Sequence, residues 1–147
     1  MKIFNIFKKK KSKPLVKESI EFDLELTAAV LAYEIARIDG DIDKDELNIL
    51  MDKIILISNK TNKEESAVME MIETFSKNSV SFYDFIEDIN KEYSREEKTN
   101  LLSYLWKIAY ADNQLDIEEE RLIRRIAGLI SIKDMEVLRL KDEERSK

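Results

Sequence analysis

At 147 residues, 44 % hydrophobic and 38 % charged, the chain is long enough for one domain with a full core beneath a heavily solvated surface. It contains neither cysteine nor histidine, which excludes disulfides, thiolate redox chemistry, Cys/His zinc sites and any nucleophile system built on Ser-His or Cys-His. A metal would need oxygen ligands and so be a hard cation such as Ca2+ or Mg2+.

With two glycines and one proline, the chain is too poor in turn residues for a β-rich fold, and the composition predicts an all-α one. The net charge of −6 is unevenly spread: residues 1–17 carry seven lysines and no acid, leaving 18 basic against 31 acidic residues beyond them, a balance of −13. Such a body repels phosphate, so nucleic acid is not an expected partner.

Taken from the N-terminus, "MKIFNIFKKKKSKP" opens a flexible basic tail over residues 1–17. Its apolar patch precedes its charge, the reverse of a secretory signal, and no segment nears the roughly 20 apolar residues of a membrane span, so a cytoplasmic protein is expected. Two readings of the tail stand open. One is a solubilising extension ended by Pro14. The other is a peripheral anchor, with Ile3, Phe4, Ile6 and Phe7 entering the interface of an anionic membrane and Lys8, Lys9, Lys10, Lys11 and Lys13 meeting its headgroups.

Residues 18–147 read as a helical domain of about seven helices. The first spans about Glu18–Ile38; its second half, "AAVLAYEIARI", is apolar on nearly every face, as a helix inside a bundle must be, and Gly40 stops it. The second spans Lys44 to about Ser58, with Leu47, Leu50, Ile54 and Ile57 on one stripe, and is broken by "NKTN". The third covers roughly Lys63–Lys77, and the fourth begins after Ser81. The fifth begins after Ser94, which with Glu97 makes a capping box, and runs through the apolar "LLSYLWKIAYA". The sixth starts after Asp116 and ends near Gly128; the seventh starts after Ser131 and frays over 141–147.

An internal repeat with an offset of 73 organises these helices. Ile35 matches Ile108, Ala36 matches Ala109, Asp39 matches Asp112, Gly40 matches Asn113, Ile42 matches Leu115, Asp43 matches Asp116, Glu46 matches Glu119 and Leu50 matches Ile123. Gly and Asn are the residues that best accept a left-handed backbone. Each unit is therefore predicted to be a helix-turn-helix hairpin: a buried helix, a left-handed stop, an apolar plug and an N-capped second helix. Two such pseudo-repeated hairpins make a single compact bundle.

The acidic turns admit two chemistries. Asp43 with Glu46, and Asp116 with Glu119, have the Asp-x-x-Glu spacing of a capping box, with the acids at the positive end of the helix dipole. Set against a calcium EF-hand loop, Asp39, Gly40, Ile42, Asp43 and Glu46 fall at positions five, six, eight, nine and twelve, but positions one and three would be Ile35 and Arg37, which cannot coordinate calcium. A weak cation site here would draw on Asp39, Asp41, Asp43 and Glu46, and in the second copy on Asp112, Asp116 and Glu119, where Gln114 replaces Asp41.

These same residues carry a family resemblance. "EIARIDGDIDKDELNIL" and "LLSYLWKIAYADNQLDIEEERLIRRIAGLISI" resemble the tellurite-resistance TerB family, the second more specifically through Leu105, Trp106, Ala109, Ala111, Asp112, Leu115, Asp116, Glu119, Leu122, Arg125, Ile126 and Ala127. The linking "SFYDFIEDINKEYSREEK" also fits, and the resemblance covers roughly residues 20–140. Asn113 stands where the family usually has glycine and keeps the backbone role. The resemblance implies a bundle of about seven helices, a place in bacterial stress-response and tellurite-resistance systems, and an interaction or scaffold role sometimes discussed with metal binding and membrane-associated complexes. It carries over no catalytic residue.

Other clusters read as structure. Tyr104, Trp106 and Tyr110 are expected in the core and at its edge, and Met51, Met69 and Met71 as gap-fillers. Arg121, Arg124 and Arg125 can pair with Glu118, Glu119 and Glu120 along one solvated face. Glu34 and Lys107, the lone charges on the two buried helices, would pair if those helices cross there. The expectation is a non-enzymatic interaction module with a protein partner, the alternative a weak Ca2+ or Mg2+ sensor.

Overall fold

A computed structural model describes the backbone of residues 16–38, 40–77 and 79–147, and the side chains of 24–38, 40–77 and 83–147. The tail residues Ile3, Phe4, Ile6, Phe7, Lys8, Lys9, Lys10, Lys11 and Lys13 lie outside these, as does Asp39. Among the described residues there are seven helices and no strand: α1 Val16–Ala36, α2 Lys44–Thr61, α3 Glu65–Lys77, α4 Ser79–Glu92, α5 Arg95–Ala109, α6 Ile117–Leu129 and α7 Asp134–Arg145. None of the helices is long and apolar enough to cross a membrane, among the described residues.

The all-α bundle is as the composition predicts, with small shifts at helix ends. α2 runs three residues beyond Ser58, because the chain turns only at Asn62, which takes up a left-handed conformation at φ 59°. α4 begins at Ser79 rather than after Ser81. Gly128 lies inside α6, and the left-handed residue that follows this helix is Ser131, φ 65°. α7 continues through Arg145, with the Lys141 ammonium 3.0 Å from the Glu120 carboxylate of α6.

α1 is the spine. From Leu26 to Ala36 every residue but Glu34 is buried, and the helix packs against α2, α3, α5 and α6. A helix so enclosed has no solvated face to offer, which is why its sequence lacks an amphipathic stripe. α5 packs against α1, α2, α6 and α7 and buries Leu101, Leu102, Leu105, Trp106, Ile108 and Ala109. Met51, Met69 and Met71 fill the core margin as expected. Burial of side chains such as Leu50, Ile54, Ile72 and Trp106 stabilises the bundle by about 1.5–3 kcal/mol each, before conformational entropy is set against it.

The two buried helices do not bring their charges together. Lys107 is exposed, while Glu34 accepts from Arg37, just past the end of its own helix, at 3.2 Å and from the buried Ser76 hydroxyl of α3. The registers of α1 and α5 therefore place the equivalent positions on different surroundings. The arginine face of α6 is also only partly as expected. Arg121 pairs with Glu118 at 3.0 Å, and Arg124 bridges Glu120 at 4.0 Å and Asp134 at 3.1 Å, but Glu119 is turned inward.

The repeat is visible bond by bond. In the first turn the Gly40 N–H donates to the Arg37 carbonyl at 2.9 Å; in the second the Asn113 N–H donates to Tyr110 at 3.0 Å. Gly40 (φ 118°) and Asn113 (φ 63°) both have positive φ, as their matching demands. The first bonds of the following helices match too, Leu47 to Asp43 at 2.9 Å and Glu120 to Asp116 at 3.0 Å. Ile42 and Leu115 are half-buried plugs packed on the core.

A candidate acidic site where the two turns meet

Each turn builds its own half of the site by capping. In the first, Asp43 Oδ2 accepts from the Asp45 N–H at 2.9 Å, and the Glu46 side chain returns to accept from the Asp43 N–H at 3.1 Å, completing a capping box. In the second, Asp116 Oδ1 accepts from the N–H groups of Glu118 at 2.8 Å and Glu119 at 3.3 Å. Asp112 Oδ1 accepts from the Gln114 N–H at 3.0 Å, closing a local side-chain turn. Asp43 and Asp116 are thus both side-chain N-caps, as their spacing predicts, and the reciprocal capping box is shown for the first turn.

What the linear pattern left open is how the two turns relate. They converge. Asp41, Asp43 and Glu46 from one and Asp112, Asp116 and Glu119 from the other line a single open concavity of about 420 Å3, floored by Ile42 and Leu115. Of the residues expected to hold a cation, all that lie within the described part of the chain are therefore brought to one place. Gln114 joins them, adding an amide oxygen where the first repeat has Asp41.

At the base of the concavity two carboxyl groups touch. Glu46 is 6 % exposed and Glu119 5 %, and their carboxyl groups lie within hydrogen-bonding reach of one another across the hairpins. Such a bond needs a proton between the two groups. Burial raises the Glu46 carboxyl above its ordinary titration range, the Asp112 and Asp43 charges raise it further, and the hydrogen bonds with Glu119 and the Asp43 N–H oppose them. This contact was missed by the linear reading, although its signal was present: both residues hold the same position of the repeat.

Cap and cage are compatible roles for these side chains. The backbone bonds use Asp43 Oδ2, Asp112 Oδ1, Asp116 Oδ1 and Glu46 Oε1, and a carboxylate offers about four acceptor sites over two oxygens. Capping orients each carboxylate while leaving it acceptor capacity toward the concavity. Among the described residues no group of three carboxylates is gathered into a ready coordination shell. The donor set, all oxygen and strongly anionic, fits a hard divalent cation that keeps part of its water.

A family model described as tellurite resistance protein TerB matches residues 25–142 of the chain. No curated protein and no solved structure matches it at a significant level.

Proposed function

The chain belongs to the TerB family, and on that premise we propose that it is a non-enzymatic interaction module of a bacterial stress-response system, with the acidic concavity as its docking face for a positively charged protein partner. The observation that supports this reading is the convergence of both repeat turns into one anionic concavity. Six carboxylates, four of them held by backbone bonds, present a partly pre-oriented field, which favours rapid capture of a basic partner and discriminates against acidic ones. The test is capture from native cells with the full chain and with a Glu46→Gln, Asp112→Asn, Asp116→Asn variant, which keeps its caps and loses charge. A partner captured by the first and not by the second is the expected result. Equal capture by both, or no specific partner for either, overturns it.

The Glu46–Glu119 contact favours a second reading, in which the concavity takes Ca2+ or Mg2+. Asp43, Glu46, Asp112, Asp116 and Glu119 would hold the ion, which would supply the positive charge that a proton otherwise provides between the two glutamates. Calorimetric titration of each cation into chelator-treated chain should show saturable, weak binding that the triple variant lacks. Absence of heat in the unmodified chain removes this reading and leaves the first standing.

A further inference from the structure

A second concavity, remote in its lining from the acidic turns, lies between α1, α2 and α5 and measures about 140 Å3. Leu24, Ala28 and Leu101 give it apolar walls, and the ring of Tyr104 closes one side. The Tyr104 hydroxyl is buried and has no hydrogen-bond partner among the described residues. At the mouth the Lys53 ammonium is held 2.6 Å from Glu25 and 4.7 Å from the centre of the Tyr104 ring. Glu97 also lines the cleft, one oxygen fixed by the Ser94 N–H at 2.7 Å.

The charges in this cleft do not cancel. Glu25 and Glu97 face one ammonium, and Asp52 adds its field: burial, then Glu25 and Asp52, hold the Tyr104 hydroxyl well above its ordinary titration range, so it stays a neutral donor and acceptor. The walls are mainly apolar, which suits a hydrocarbon body better than a cluster of waters, and the volume is close to the roughly 150 Å3 of cavities known to take a benzene ring. An anionic head would meet two carboxylates, whereas a cationic one would gain from both.

We propose that this cleft binds a small primary amine, an ammonium head on a short alkyl or aryl body, with the head beside Glu97 and Glu25 and the body against Leu24, Ala28, Leu101 and the Tyr104 ring. The probes are benzylamine, benzyl alcohol and benzoate, which share a ring and differ in head charge. They are titrated into the full chain at constant ionic strength while the Tyr104 ring resonances are followed by NMR. Benzylamine should shift them saturably in the millimolar range, benzyl alcohol about tenfold more weakly, and benzoate not at all. Ala28→Leu, which fills the cleft, should abolish the shift, and Glu97→Gln, which keeps the Ser94 bond, should bring benzylamine to the level of the alcohol. No saturable shift with benzylamine, equal binding of the three probes, or indifference to Glu97→Gln and Ala28→Leu would each overturn the proposal. The comparison of probes in the unmodified chain keeps the test decisive even where a variant fails to fold.

Discussion

Replacing Glu46 by glutamine separates the capping role of this side chain from its charge. The amide oxygen can take over the 3.1 Å bond from the Asp43 N–H, and the amide NH2 can donate to Glu119, so both contacts survive. What disappears is an acid 6 % exposed, set among Glu119, Asp43 and Asp112. Because its titration range is raised in the folded chain, the folded state binds its proton more tightly than the unfolded state does. The corresponding stability is fully present below the unfolded carboxylate range and is lost as pH rises through the raised folded value. At pH 7 and above, Glu46→Gln should therefore stabilise the cation-free chain by about 1 kcal/mol, or about 3 °C in Tm for a domain of this size. With calcium at ten times its Kd the unmodified chain should gain about 1.4 kcal/mol, a gain the variant loses. Scanning calorimetry between pH 5 and 8, with chelator and with calcium, reads all of this. A variant less stable than the parent in chelator at pH 7, with an unchanged slope against pH, would refute the reasoning and make Glu46 a fully satisfied cap.

Asp43→Ala and Asp116→Ala should each cost about 1 kcal/mol in urea unfolding, whereas the Asn replacements should be close to neutral because they retain the accepting oxygen. Gly40→Ala should cost about 1–2 kcal/mol although a Cβ there would meet no atom within 4 Å, since the penalty comes from φ 118° and not from a clash; an unchanged urea midpoint would show that the turn relaxes. Full-length chain should sediment with anionic vesicles in a salt-sensitive way, and replacing Lys8, Lys9, Lys10 and Lys11 by glutamine should abolish this. Equal sedimentation of both proteins would dismiss the tail as an anchor.

Helix identity, the two left-handed stops and the Asp caps were legible because each depends on residues within a few positions of one another. The Asp43 cap is recognised from Glu46 three residues on and the apolar run that follows, and Gly40 and Asn113 from the backbone that only such residues accept readily. The end of α2 was misjudged by three residues for a similarly local reason: the Asn at the end of "NKTN", not its start, makes the turn. The Glu34–Lys107 pair failed because equal places in a repeat have different neighbours, α3 for one and solvent for the other.

Local chemistry, then, decided where helices begin and stop, that α1 must be buried, that any cation would be oxygen-bound, and that the two hairpins repeat. It could not decide that the acidic turns face each other, that Glu46 reaches Glu119 across 73 positions, or that Tyr104 is left unpaired behind Lys53 and Glu25. Those facts come from the packing of α1 and α5 in the centre of the bundle, which sets how the two hairpins lie against each other. A capping bond is written within four residues of chain, but the proton or cation that two distant carboxylates require is specified only when folding brings their charges together.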